Sequence, residues 1–302
     1  MKKSLLANTL ALALAAAAVG AVHAEDTLKK IKDSGAVTMG VRESSGALSY
    51  TLGDGKYVGY HVEICQRVLA DVQKSLGLAK LDVKYQPVTS QNRIPLVQNG
   101  TVDIECGSTT NNKAREKDVS FAVTTFVEEV RMVTKANSGI SSINQLAGRT
   151  VATTTGTTSV QTLRKHERAS GLDFKEVFGK DHADSFLLLE SGRADAFVMD
   201  GSLLAGLVSK SKNPADFKIV GEVLSVEPIA IMFRKDDPAF KKAVDDSIKA
   251  MMKSGEINKL YDKWLLQAIP PANTKVGLAM SDNLKAAIAN PNDKPAEDYA
   301  KK

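Results

Sequence analysis

Cysteine is scarce in this chain, with two residues in 302. That excludes a disulfide-dense scaffold and a four-cysteine zinc site. Aromatics make up only 5% of the residues, with one Trp. Neither His-Glu-x-x-His nor Gly-x-Ser-x-Gly occurs, so two common hydrolase signatures are missing. A dominant charge is missing as well. The formal net of +5 is spread over mixed-sign segments, too weak for a nucleic-acid binder. Nine Pro and 21 Gly exclude collagen-like or low-complexity material. What is present is a 43% hydrophobic fraction, too high for a disordered chain. The length suits one large domain or two medium ones.

The first 24 residues read as an address. Lys2 and Lys3 precede an apolar run from Leu5 to Val22, and Val22-His23-Ala24 is a small-residue cleavage pattern. This is the form of a secretory signal peptide. The competing reading is a membrane anchor, because the run is near the lower limit for spanning. No Cys follows Ala24, which argues against a lipoprotein anchor, and no long uncharged apolar stretch follows either. The leader carries Lys2 and Lys3 and no acid, so its removal lowers the net charge from +5 to +3. Local charges therefore matter more than the total. Export also permits a bridge between Cys65 and Cys106. Cys65 lies on a helical face with Ile64, Val68, Leu69, Val72 and Leu76, while Cys106 ends an apolar strand. A helix packed on its own sheet brings such residues close, but two small buried hydrophobes fit the pattern equally.

Strand-like and helical runs alternate along the rest of the chain, an α/β signature. AVTMGVR, LDVKYQPV, TVDIECG, RTVATTT, DFKEVFG, RADAFVMD and FKIVGE read as strands. YHVEICQRVLADVQKSLG, SQNRIPLVQNG, TTSVQTLRKHERASG, HADSFLLLESG and GSLLAGLVSKSK read as helices. A long amphipathic helical region from Asp237 is broken near Gly255, and a Pro- and Asn-rich tail follows from Ile269. There is an internal echo: an apolar helix end, Gly100 and Asp103 repeat as Gly192 and Asp195. It favours two similarly built lobes over one large sheet. TTFVEEVRMVTK and EVLSVEPIAIMFRK are candidate crossings between the lobes. If both cross, residues 25–127 with 226–302 form one lobe and residues 128–225 the other. Two connecting strands make a hinge with a ligand cleft between the lobes.

Ligands of open α/β sheets bind beyond the carboxyl ends of the strands. There the sequence places Arg42; Ser90 and Arg93; Ser108, Thr110 and Arg115; Thr157 and Thr158; His182; and Asp200. Arg offers a fork matched to a carboxylate. The TGTTS segment opens a helix, whose free N–H groups favour an anion. Asp200 is a partner for an ammonium. Singly, each has a plainer reading. A Ser or Thr at a helix start is usually a cap, an Arg usually a surface ion pair, Asp200 a cap for the helix after it, and His182 a solvated loop residue. Together they gather at one end of their strands.

On these residues the chain resembles the family 3 solute-binding proteins of amino-acid ABC transporters, and within them the periplasmic glutamate/aspartate-binding group. The carrying motifs are GVRESSGALSY, VTSQNRIPLVQNGTVDIECGSTTNN, ATTTGTTS, KDHADSFLLLESGRADAFVMD and DKWLLQAIPP. The resemblance implies a type II periplasmic binding-protein fold, no cofactor or metal, a monomer, and a membrane permease as partner. It implies that Arg115 takes the α-carboxylate beside Thr110 and Thr158, and that Asp200 takes the α-ammonium, helped by Ser108. Arg42, Ser90, Arg93 and His182 surround a side-chain carboxylate, with Thr155 and Thr157 lining the cleft. The charge count agrees. Arg115 and Asp200 satisfy a generic amino acid, leaving Arg42 and Arg93 for a second carboxylate. Leaving such a donor unpaired costs on the order of 1–3 kcal/mol, which disfavours glutamine.

Other functions are weighed on the same residues. Glutamine as cargo remains the nearest alternative. Lys and Arg as cargo meet like-charge repulsion. The same fold serves periplasmic dehydratases, but His61 and His166 lie in helical runs without a partner and no nucleophile–base pair is apparent. A receptor's sensory domain would need a downstream membrane segment. Trp264, with Leu260, Tyr261 and Leu265, reads as packing.

Overall fold

In the computed structural model residues 26–299 are described, so the leader read over residues 1–24 lies outside the described residues. Two five-stranded sheets carry the chain. In the first the spatial order is Asp82–Pro87, Ala36–Val41, Ile104–Glu105, Met232–Arg234, Val119–Phe121. In the second it is Lys175–Gly179, Thr150–Thr154, Ala196–Asp200, Phe126–Lys135, Phe217–Ile229. Both follow one plan. The first strand of each unit lies between the second and the third, all parallel, and two further strands, each antiparallel to its neighbour, close the sheet.

The internal echo has a structural meaning. Gly100 and Gly192 both take positive φ (75° and 73°), the left-handed turn after a helix that glycine adopts without strain. Asp103 then accepts from the Thr38 N–H at 2.8 Å, and Asp195 accepts from the Thr150 N–H at 2.9 Å. In each lobe the same carboxylate ties the third strand to the first.

The helix Tyr60–Ser75 buries Ile64, Cys65, Val68, Leu69 and Val72, the face expected from their spacing. Cys65 and Cys106 are bridged, with Cα atoms 6.3 Å apart, which decides between the two readings of these residues. The bridge joins this helix to the residue after strand Ile104–Glu105. The expected strand TVDIECG is confined to those two residues.

The long strands Phe126–Lys135 and Phe217–Ile229 run side by side from Phe126 opposite Ile229 to Lys135 opposite Phe217. At their near end the Thr125 N–H donates to the Ile229 carbonyl. They therefore lead out of the first sheet together and form the edge of the second. FKIVGE and the run after it, expected as separate strands, are one strand with an irregularity between Val220 and Ser225. Gly221, at φ 79°, lies in that irregularity. Helix Pro238–Ser254 ends at Gly255 in the left-handed region, then Glu256–Tyr261 continues.

Two segments are more ordered than their composition suggests. Ser44–Ser45, Ser49–Gly53 and Lys56–Val58 form a small antiparallel sheet. The tail contains the helix Asp282–Ala289, capped by Ser281 and anchored by buried Leu284 and Ala287. It then straps the first lobe: the Thr124 N–H donates to Asn292 and the Ala296 N–H to Asn111. Trp264 is buried, edge-on to Tyr50, and donates to Glu63. Among the described residues no helix is long and apolar enough to cross a membrane.

Candidate ligand site between the lobes

The carboxyl end of strand Ala36–Val41 delivers Arg42 into the junction of the lobes, fully buried. Its stem lies against the backbone of Gly107. A Cβ there would stand 2.8 Å from Arg42 Cγ and 2.1 Å from Glu105 Oε1, so only glycine admits both side chains. Arg42 Nη2 donates to Asp181 Oδ1 at 2.5 Å and faces His182 Nε2 at 3.1 Å. A guanidinium only donates, so Nε2 is the acceptor and the ring proton sits on Nδ1, 3.0 Å from Thr154 Oγ1. Burial, then the Arg42 charge, brings His182 down to about 3, against the pull of Asp181, so the imidazole is neutral. Burial opposes ionisation of Asp181, but the Arg42 charge and the hydrogen bonds from Ser44 and Arg42 outweigh it and hold the carboxyl at about 2.

Arg93 opens the helix Arg93–Gln98 and is 2% exposed. Its Nε and Nη1, like Nε and Nη1 of Arg42 and the hydroxyl of Ser90, are buried without a hydrogen-bond partner. Burial pulls Arg93 well below its ordinary value. Arg115 and Arg42 add to this, while Glu105 and Asp200 resist it. A guanidinium stays protonated regardless, so the region holds cationic charge whose donors are unsatisfied.

Arg115 is partly exposed. Its Nη1 donates to the Thr110 carbonyl at 2.9 Å, and its Nη2 reaches across to the Gly156 carbonyl at 3.3 Å. Thr110 and Thr158, from opposite lobes, stand 3.4 Å apart and both donate to Glu227 Oε2, at 2.7 and 2.6 Å. Asp200 ends strand Ala196–Asp200, 5% exposed, at the cap position of the helix Gly201–Lys210 but without a side-chain cap bond. Burial raises its carboxyl well above the ordinary range. Glu128 and Glu227 push the same way, and Arg93 and Arg115 oppose them.

Arg93 thus lies within electrostatic reach of Arg42, Arg115 and Asp200, His182 within reach of Arg42 and Arg93, and Thr110 meets Thr158 directly. Other expected residues turn elsewhere. Ser108 pairs with Ser45 at 3.0 Å rather than with Asp200. The Thr157 hydroxyl donates to the Thr154 carbonyl, and Thr155 contributes a backbone bond to Gly179. Asp181, Glu128 and Glu227 lie outside the set that the sequence places at the strand ends. Asp181 immediately precedes the histidine that the sequence places there, and both glutamates sit in strands that read only as crossings. Glu128 and Glu227 face each other in register across those strands. Among the described residues no group of three or more His, Cys, Asp or Glu is arranged to hold a metal ion.

Residues 37–267 match the model of the bacterial extracellular solute-binding proteins, family 3. The chain belongs to that family. It is 47% identical over 296 residues to an L-glutamate/L-aspartate-binding protein of Pseudomonas aeruginosa, covering 97% of this chain and 98% of that protein. It is 45% identical over 291 residues to a glutamate/aspartate import solute-binding protein of Escherichia coli, covering 96% of each. Among solved structures, a solute receptor for L-cysteine of Neisseria gonorrhoeae superposes with a TM-score of 0.70 at 25% identity, covering 82% of this chain and 98% of that one. The two sheets joined by paired strands are the type II architecture of this solute-binding family.

Proposed function

We propose that this chain binds glutamate or aspartate in the periplasm, closes its lobes on the ligand, and delivers it to an ABC-transporter permease. In this reading residues 1–24 are a cleaved leader, and the protein works as a monomer and not as an enzyme. Residues 25–127 with 226–302 form one lobe and residues 128–225 the other. The observation that carries the reading is the set of buried, unpartnered donors on Arg42, Arg93 and Ser90, additional to the Arg115 and Asp200 groups that any amino acid requires. The names of the relatives at 45–47% identity support the same class of ligand.

In this reading each group has a role. Arg115 takes the α-carboxylate. The Thr110 and Thr158 hydroxyls already donate to Glu227, so these residues serve the carboxylate through their N–H groups. Asp200 takes the ammonium, and Ser108, which is paired with Ser45, assists from the first lobe. Arg42, Arg93 and Ser90 take the side-chain carboxylate. His182 has both ring nitrogens engaged and acts by orienting Arg42 rather than by touching the ligand. Thr155 and Thr157 shape the second-lobe wall. Charge-assisted bonds of this kind are each worth about 1.5–3 kcal/mol, enough in combination for micromolar or tighter binding.

Calorimetric titration of the chain from residue 25 with glutamate, aspartate and glutamine tests this. Both acids bind, glutamine binds about ten- to a hundredfold more weakly, and X-ray scattering shows compaction on saturation. Arg93→Ala weakens the acids far more than glutamine; equal losses refute its role.

A further inference from the structure

We infer that Asp181 is a clasp between the lobes and the positioning residue for Arg42, a role that deepens the proposed function and rests on it for the ligand used in the test. Asp181 stands just before helix His182–Glu190 of the second lobe, whereas Arg42 and Ser44 follow the first strand of the first lobe. Its Oδ1 accepts from Arg42 Nη2 at 2.5 Å and its Oδ2 from the Ser44 hydroxyl at 2.7 Å. The Ser44 oxygen in turn accepts from the Ala183 N–H at 3.2 Å, and Arg42 Nη2 reaches His182 Nε2. Every one of these contacts crosses between the lobes, so opening the cleft breaks them as a set. The Asp181 N–H is held at 3.2 Å by Asp184, which fixes the turn that presents the carboxylate.

The clasp also accounts for the charge. Arg42 counted as a surplus cation in the sequence, yet Asp181 is its counter-ion, and the side chains of the pair are 0% and 16% exposed. At that burial water screens the pair weakly. Closure itself therefore supplies part of the compensation that Arg42 needs. With Nη2 engaged, the buried donors left for a ligand on Arg42 are Nε and Nη1. Asp181 thus both closes the cleft and fixes which donors of Arg42 remain available.

The test combines stopped-flow kinetics with L-glutamate and X-ray scattering on the wild type, Asp181→Asn, Ser44→Ala and the double variant. Asp181→Asn is expected to speed ligand release about 10- to 100-fold while association stays within about threefold, because the clasp forms after encounter. Ser44→Ala speeds release about two- to tenfold. The double variant releases no more than about threefold faster than Asp181→Asn, since the Ser44 bond ends on Asp181. A purely structural residue would lower thermal stability without separating release from association. Release from Asp181→Asn within twofold of wild type, or effects that multiply in the double variant, overturn the proposal. If the wild type binds no glutamate, the functional reading fails and the clasp is judged by scattering alone. A larger radius for ligand-free Asp181→Asn than for ligand-free wild type supports it; equal radii overturn it.

Discussion

Gly206 lies inside helix Gly201–Lys210 of the second lobe, and its Cα faces Gly46 in a loop of the first. A Cβ at position 206 would stand 2.8 Å from Gly46 Cα and 3.4 Å from its carbonyl carbon. Both are backbone atoms, so no side chain can turn aside, and only a separation of the lobes relieves the clash. Gly206→Ala therefore acts on closure. Overpacking of this kind costs about 1–3 kcal/mol. If that cost falls on the closed state alone, affinity drops about five- to 150-fold. Within its own lobe the same substitution has the opposite sign. Alanine in a helix interior is favoured over glycine by about 0.5–1 kcal/mol. Calorimetry with L-glutamate and thermal unfolding of the ligand-free chain read the two effects separately. The expected pattern is weakened binding with an unchanged or higher melting temperature. Affinity within twofold of wild type would show that closure does not bring these backbones together, and the inter-lobe geometry would be refuted with it.

Two further perturbations follow from the buried groups. The Cys65–Cys106 bridge spans 41 residues of sequence, so in the chain-entropy account its loss in Cys65→Ser/Cys106→Ser costs about 4 kcal/mol, read as a lower denaturant midpoint; an unchanged midpoint would contradict this. Burial raises Glu128 from 4.5 to about 7, with Glu227 and Glu129 adding to it against the hydrogen bonds from Ser202. A raised carboxyl favours the folded chain below its unfolded value, and that advantage is lost as pH rises through about 7. Glu128→Gln, which keeps an acceptor for Ser202, should match wild type near pH 4 and exceed it at pH 8 by about 3 kcal/mol. Parallel stability–pH curves for the two proteins would rule out the buried proton.

The alternation of strands and helices was legible because a parallel sheet needs an apolar run for every strand and a capped amphipathic helix for every return. The repeated Gly and Asp marked two lobes because each lobe uses them for the same turn and the same tie. The cations of the site were visible because they follow strands. Its acids were not. Glu128 and Glu227 alternate with Val and Ser in ordinary strand fashion, and only the pairing of Phe126–Lys135 with Phe217–Ile229 brings them face to face. Asp181 looks like a helix cap in sequence, and its contact with Arg42 spans 139 residues. Local pattern reports which way a side chain faces on its own element, but not what another lobe sets against it. In the tail, Pro and Asn mask the helix Asp282–Ala289 that Leu284 and Ala287 anchor.

The distribution of charge between the lobes predicts a coupling between ligand and proton. Arg42, Arg93 and Arg115 come from the first lobe, whereas Asp181 and Asp200 come from the second, with Glu128 and Glu227 on the strands between. On the proposed roles, a ligand's carboxylates engage one side and its ammonium the other. Asp200 is buried beside Glu128 and Glu227, and its carboxyl is raised well above the ordinary range in spite of Arg93 and Arg115, so before an ammonium arrives the protonated form is favoured. An ammonium placed against it favours the carboxylate, and the proton must leave. Binding that releases a proton tightens as pH rises, until the ligand-free cluster is itself ionised. Because Asp200 and Glu128 influence each other, the release belongs to the cluster rather than to one residue. Calorimetry at pH 7 in phosphate and in Tris, whose ionisation enthalpies differ, counts the protons directly. L-glutamate should release a measurable fraction of a proton. Glutarate, with both carboxylates but no ammonium, should release none and leave the scattering radius unchanged. Identical enthalpies for glutamate in the two buffers would show that Asp200 is already ionised before the ligand arrives, and the ammonium would then have to be drawn across the cleft by that standing charge alone.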